Sequence, residues 1–162
     1  MDHVDKVLAQ WRAERPDLDV GPMGVIGRIK RISASLLREM EKTWELHGLN
    51  AASFDVLATL RRSGPPYTLS PGDLMAWTMV TSGTMTNRID QLVKSGHVSR
   101  VSNPDDGRSI LISLTDQGFE TIEAAVTDHV ATQHRLTRGL SKRDQEALNH
   151  LLVKLETPAD LD

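Results

Sequence analysis

The sequence predicts a mainly helical fold with a small β element (α+β), and three observations predict it. Residues 81–96 repeat their apolar side chains with helical period and end at a glycine. Before them, Ser-Pro-Gly-Asp at residues 70–73 has the N-cap, N1 and N3 residues of a short helix. After them, residues 97–101 and 110–114 are typical of two strands joined by a turn. Helix, turn, helix and hairpin in this order make a winged helix-turn-helix.

The helix at residues 81–96 has two distinct faces. Its apolar side chains fall together on a helical wheel at about 100° per residue: Met85, Ile89, Leu92 and Val93. The opposite face is small and polar with almost no charge, and such a face suits hydrogen bonding to base edges. We therefore predict that this helix enters the major groove of double-stranded DNA and contacts it through Ser82, Thr84, Thr86, Asn87 and Lys94.

The predicted hairpin supplies one further DNA-binding residue. Its turn is Asn-Pro-Asp-Asp-Gly at residues 103–107, and Arg108 leaves that turn. A wing in this position carries its arginine into a minor groove. The alternative is a solvated wing tip that makes no DNA contact.

The remaining helices are predicted from periodicity and capping residues. They span residues 2–15, 22–47, 50–62, 115–138 and 141–155. Asn50, Thr115 and Ser141 are the expected N-caps, while Gly48 is the expected C-terminal glycine of the second helix.

Composition limits the classes of protein that remain. The 162 residues suffice for one domain, and no apolar run is long enough to cross a bilayer or to act as a signal peptide. The chain has no cysteine, which fits a cytoplasmic protein. Its net charge of −3 is uneven, since residues 116–162 carry five basic and nine acidic side chains. A modest basic footprint for DNA remains, formed by Arg61, Arg62, Lys94, Arg100 and Arg108.

The wing and the helix after it also resemble a known family. Asp106-Gly107-Arg108, followed by Leu114-Thr115 and Gly118, is similar to the D-x-R…L-T-x-x-G signature of MarR-type transcriptional regulators. The resemblance covers residues 22–155. It implies a homodimer in which residues 1–49 and 116–162 form a helical dimerisation lobe, with an extra N-terminal helix at 2–15, and residues 50–115 form the DNA-binding lobe. Two-fold symmetry would place two reading helices about one DNA turn apart, on a pseudo-palindromic operator. The alternative is that the terminal helices pack on one another within a monomer.

Four residues suggest a small anionic effector. Arg88 lies on the flank of the buried face of its helix, Asp55 is the only charge in residues 50–60, and Trp11 lies on the extra helix. Together with Arg100, they resemble the urate-responsive PecS/HucR-type branch, which shares the Thr-Asn-Arg-Ile at residues 86–89. The resemblance implies a ligand pocket formed by Trp11, Asp55, Arg88 and Arg100. Urate, a xanthine-like purine, a small polycarboxylate or an aromatic acid would satisfy the same arginine. The alternatives are simple packing for Trp11 and an interior salt bridge between Asp55 and Arg88.

No enzyme, cofactor or metal site is predicted. The sequence has no nucleophile elbow and no phosphate-binding loop, and of its six histidines His129 and His134 are about 140° apart on a helix. The function that we expect is a ligand-responsive, sequence-specific DNA-binding regulator, a repressor released from its operator by the anion. The alternative is a winged-helix protein-interaction scaffold or anti-repressor without DNA binding.

Overall fold

The computed structural model describes residues 1–78, 85–104 and 106–156. The chain divides into two compact units, residues 1–42 and 43–162. The first four residues of the helix predicted at residues 81–96, including Ser82 and Thr84, lie outside the described residues.

The first unit contains α1 (His3–Glu14) and most of α2 (Gly21–Glu45). Asp2 and Asp5 form a capping box at the start of α1, and Arg28 of α2 binds both carboxylates, at 3.0 Å from Asp2 and 2.5 Å from Asp5. The capping-box backbone N–H groups, and then Arg28, hold the pKa of both aspartates below the usual value. Val4, Leu8 and Val20 form a small buried cluster in this unit.

The second unit contains the winged helix-turn-helix. Its elements are α3 (Ala51–Arg62), β1 (Thr68–Leu69), α4 (Pro71–Trp77), α5 (Met85–Lys94), β2 (Val98–Ser102), β3 (Ile110–Leu114), α6 (Asp116–Thr137) and α7 (Lys142–Glu156). The sheet is antiparallel in the order β1-β3-β2, and Thr68 pairs with Ser113 while Val98 pairs with Leu114. The sequence predicts the β2–β3 hairpin but does not predict β1.

The predicted caps are confirmed. Asn50 and Ser70 accept the backbone N–H groups of Ser53 and Asp73, and Thr115 accepts that of Gly118. Gly48 and Gly96 have φ values of +68° and +79°, which glycine adopts without strain. Leu49 and His97 each follow one of these glycines, and their N–H groups donate to the carbonyl oxygens of Trp44 and Leu92, five residues earlier. Both helices therefore end in a Schellman motif.

The core of the second unit is formed where α3 packs against α4, β3 and α6. Side chains at or below 1% exposure come from α3, α4, β3 and α6: Val56, Leu57, Leu60, Leu74, Ile112, Ile122 and Ala125. Fully burying one such aliphatic side chain contributes about 1.5–3 kcal/mol. α3 is therefore the central support on which the other elements are positioned.

The Leu-Thr-x-x-Gly segment has a structural role at the junction of wing and α6. The Thr115 hydroxyl accepts the Gly118 N–H at 3.0 Å and donates to the Gly96 carbonyl oxygen at 2.7 Å. A Cβ on Gly118 would lie 1.9 Å from the backbone oxygen of His97. The motif therefore fixes α6 directly against the segment that joins α5 to β2.

Candidate nucleic-acid interface and effector cavity

α5 has the two faces that its sequence predicts. Met85, Ile89 and Leu92 are 4%, 3% and 4% exposed, so they anchor the helix in the core. The opposite face is open to solvent along its whole described length: Thr86, Asn87, Asp90, Gln91 and Lys94. Of the predicted DNA-binding residues on this helix, Thr86, Asn87 and Lys94 are thus accessible.

The wing turn is held by local hydrogen bonds from Asp106 and Asn103. The Asp106 carboxylate accepts the backbone N–H of Arg108 at 3.1 Å, and the Asp106 carbonyl accepts that of Ser109 at 2.9 Å. Asn103 closes the turn by donating its side-chain amide to the Ser109 hydroxyl at 2.9 Å. These bonds fix the backbone around Arg108, whose side chain is exposed.

Three basic residues of the predicted footprint have partners within the protein. Arg61 donates to Glu123 and lies over the rings of Tyr67 and Phe119, 5.1 and 4.9 Å from their centroids. The Glu123 carboxylate raises the pKa of Arg61 above its ordinary value. Arg62 donates to the Trp77 carbonyl, and Arg100 donates to Asp90 of α5. Lys94 and Arg108 are therefore the more available cations on this surface.

Arg88 lies at a cavity behind the exposed face of α5. The cavity, of about 180 Å³, is lined by Gly48, Leu49, Asn50, Ala52, Ser53, Arg88, Gln91, Leu92, Ser95 and His97. The Nη1 atom of Arg88 is buried and has no hydrogen-bond partner among the described residues. A buried cationic N–H group without an acceptor is unfavourable, and an anion that reached this nitrogen would satisfy it.

The four residues predicted to form the ligand pocket lie on four different elements, α1, α3, α5 and β2. Asp55 is half-buried on α3, and among the described residues neither it nor Arg100 lines the cavity at Arg88. Arg100 lies on β2 and pairs with the exposed Asp90. Trp11 belongs to α1 of the first unit, where its side chain is 43% exposed. Ser95 and His97 are further polar groups at the cavity beside Arg88, and their Oγ and Nδ1 atoms are 2.7 Å apart.

A partly buried histidine forms a second polar feature that the sequence does not reveal. The Trp44 indole Nε1–H donates to His129 Nδ1 at 3.1 Å, and the Phe54 ring centroid lies 4.7 Å from that of His129. Burial lowers the pKa of His129 below the ordinary value. His129 lies on the apolar side of α6, and this position is the sequence feature that could have indicated a partly buried imidazole.

Other classes of site are not found in the described part of the chain. It contains no group of three histidine, cysteine, aspartate or glutamate side chains placed to hold a metal ion. None of its described helices is long and apolar enough to cross a membrane.

Comparisons with known proteins agree with this geometry. Residues 47–109 match the model of the MarR family. The chain is 40% identical over 153 residues to the HTH-type transcriptional regulator PecS of Dickeya dadantii, and the match covers 94% of this chain and 92% of the relative.

Two solved structures are also similar to this chain. One is a mutant MarR from Escherichia coli complexed with operator DNA, with a TM-score of 0.71 and 26% identity, covering 91% of this chain and 98% of the other. The second is Bordetella bronchiseptica BpsR, whose DNA binding is regulated by 6-hydroxynicotinic acid. It has a TM-score of 0.72 and 25% identity, and the match covers 83% of this chain and 94% of the other. This chain therefore belongs to the MarR family of winged-helix, DNA-binding transcriptional regulators.

Proposed function

We propose that this protein is a homodimeric repressor that leaves a pseudo-palindromic operator when a small anion binds beside Arg88. The observation that carries the proposal is the buried, unpartnered Nη1 atom of Arg88 at a cavity on the same helix that presents Thr86, Asn87 and Lys94 to solvent. The short helix α5 thus carries both the Arg88 guanidinium, which would bind an anion, and the surface that would contact DNA.

The coupling between the two sites follows from this shared helix. An anion held by Arg88, with Ser95 and His97 nearby, would favour one position of α5 relative to the N-terminal turn of α3. If DNA favours another position, the anion lowers DNA affinity by its difference in binding free energy between the two states. A difference of about 1–3 kcal/mol weakens DNA binding roughly 5- to 150-fold.

The size of the cavity favours a compact effector. At about 180 Å³ it is smaller than the roughly 300–1,000 Å³ of pockets that hold drug-sized ligands. Urate remains the first candidate because of the resemblance to the urate-responsive branch, and the planar 6-hydroxynicotinic acid named for BpsR supports a small ring bearing a negative charge. A xanthine-like purine or a small carboxylate are the other candidates.

The exposed apolar faces of the terminal helices support dimerisation. No side chain of α7, the whole of which is described, is buried, and five of its apolar residues are 41–61% exposed: Leu148, Leu151, Leu152, Val153 and Leu155. In the other unit, α2 exposes Met23, Val25, Ile26, Ile32 and Leu37. A second copy of the chain would bury such surfaces, and a two-fold pair would present two copies of α5 to DNA.

The effector proposal is tested by Arg88→Ala in a mobility-shift assay on the intergenic DNA upstream of the chain's own gene. We expect this variant to bind DNA nearly as well as the parent but to lose most of the release caused by urate. Lys142→Ala, which removes an exposed cation at the start of α7, is the matched control and should respond as the parent does. An equal urate response in parent and Arg88→Ala would exclude this cavity as the effector site.

The dimer proposal is tested by light scattering coupled to size-exclusion chromatography. Leu151→Glu places a charge on the apolar face of α7 and should convert a dimer of about twice 17.9 kDa into monomer. Lys154→Glu, on the same helix, also adds negative charge and should leave the dimer intact. A parent protein that elutes as a monomer would contradict the proposal.

A failure to bind DNA would favour the other function class. A salt-sensitive complex is expected for any protein that neutralises phosphates. If no such complex forms with the upstream DNA, the winged-helix scaffold becomes the better description of this chain.

A further inference from the structure

One ion pair joins α5 to the strand that leads into the wing. The Arg100 guanidinium on β2 donates to the carboxylate of Asp90 on α5. Arg100 is held in the sheet, where its backbone pairs in register with Ile112 of β3. Both side chains are open to solvent, at 40% exposure for Arg100 and 54% for Asp90. An exposed ion pair contributes little to folding stability, so this pair bears more on the surface that α5 presents than on the stability of the unit.

Asp90 places a negative charge on the face of α5 that is predicted to contact DNA. It is exposed, as are Asn87 three residues before it and Lys94 four residues after it. Side chains three and four residues apart are neighbours on a helix surface. A free carboxylate at this position would therefore lie among the groups expected to bind DNA, and it would repel the phosphates.

Lys94 is the alternative partner for the Asp90 carboxylate. An aspartate followed by a lysine four residues later is the favourable order for an ion pair along a helix. Lys94 is exposed and makes no ion pair with any described residue, so its ammonium group is available to a phosphate. Arg100 takes the carboxylate instead, because a guanidinium matches the geometry of a carboxylate better than an ammonium does. A pair between Asp90 and Lys94 would withdraw that ammonium from DNA.

We propose that Arg100 is a positioning residue for DNA recognition, which holds the Asp90 carboxylate away from Lys94 and cancels its charge. This inference rests on the DNA contact of Lys94 in the proposed function. Arg100 acts through Asp90 and Lys94 rather than by contacting DNA itself. The strand that carries the wing thereby keeps a cation of α5 free for a phosphate.

Fluorescence anisotropy with the upstream intergenic DNA tests the proposal in a double-mutant cycle. At about 0.1 M salt we expect Arg100→Gln to weaken binding about fivefold or more, because Asp90 is released to pair with Lys94. Asp90→Asn should bind within about threefold of the parent, since its charge is already cancelled there. The double variant Asp90→Asn/Arg100→Gln should return to within about threefold of the parent. Arg138→Gln, which removes the same charge from an exposed position at the end of α6, should bind as the parent does.

The salt dependence of binding distinguishes this role from two others. Arg100→Gln should lower the slope of log affinity against log salt concentration by about 0.9 for each bound protomer, which corresponds to one phosphate contact, and the double variant should regain it. If Arg100 contacts a phosphate directly, the double variant stays as weak as Arg100→Gln. If the two charges act independently, Asp90→Asn tightens binding by as much as Arg100→Gln weakens it. Either result would overturn the proposal.

Urea unfolding separates this role from a folding role. Because the pair is exposed, Arg100→Gln should unfold at nearly the same urea concentration as the parent. A large loss of urea resistance that Asp90→Asn does not repair would contradict the proposal. Equal DNA affinity of the parent and Arg100→Gln would overturn this inference alone. Absence of any salt-sensitive complex with the parent would instead overturn the proposed DNA-binding function, and this inference with it.

Discussion

Replacing Gly118 with alanine should destabilise the junction between the wing and α6. A Cβ at this position would lie 1.9 Å from the His97 carbonyl oxygen and 2.8 Å from its carbonyl carbon. Both atoms belong to the backbone, so a rotamer change cannot relieve the overlap. α6 or the segment before β2 must move by more than about 1 Å to restore an ordinary van der Waals contact.

Two effects of opposite sign determine the size of the loss. Alanine favours a helix over glycine by about 1 kcal/mol. Overpacking costs about 1–3 kcal/mol and more where backbone must shift, and here the Thr115 bonds to Gly96 and His97 would also be strained. The overlap wins, and the net loss is about 2 kcal/mol, which corresponds to a fall in Tm of roughly 4–8 °C for a protein of this size.

Thermal and urea unfolding of the purified variant measure this loss. Gly139→Ala is the matched control, since a Cβ there meets no atom within 4 Å and no positive φ is involved. It should be neutral or slightly stabilising, because alanine restricts the unfolded chain. A Gly118→Ala protein as stable as the parent would refute the structural role assigned to the Leu-Thr-x-x-Gly segment.

Two further predictions concern the wing and the partly buried histidine. Arg108→Ala should weaken operator binding by about 1–3 kcal/mol, measured by fluorescence anisotropy at fixed salt, and an unchanged isotherm would count against wing insertion. Because burial lowers the pKa of His129 in the folded state, the unfolded chain binds its proton first as pH falls. The stability due to neutral His129 is therefore complete above about pH 6.5 and is lost as pH falls through the folded-state pKa. His129→Gln keeps an acceptor for Trp44 and should lose less urea resistance than the parent below about pH 6.5. The control His134→Gln, at an exposed position, should match the parent. Equal pH dependence of urea resistance in the parent and His129→Gln would contradict this prediction.

The sequence by itself determined the local architecture of this protein. Helical period identified the buried and exposed faces of α5, and Asn50, Ser70, Thr115 and Ser141 marked helix starts to within a residue. These features could be predicted because an N-cap or a Schellman glycine is satisfied by atoms only a few residues away. The family signature could be found for the same reason, since its residues occupy one turn and one cap.

Only the tertiary structure decided what the charged and polar side chains contact. Arg61, Arg62 and Arg100 looked equivalent to Arg108 as sources of positive charge, but they meet Glu123, the Trp77 carbonyl and Asp90. β1 exists because it pairs with β3, which lies far along the chain, and two residues carry too little pattern of their own to predict a strand. The unpartnered nitrogen of Arg88 and the bond between Trp44 and His129 likewise depend on groups brought together from distant parts of the chain, which no local pattern of residues specifies.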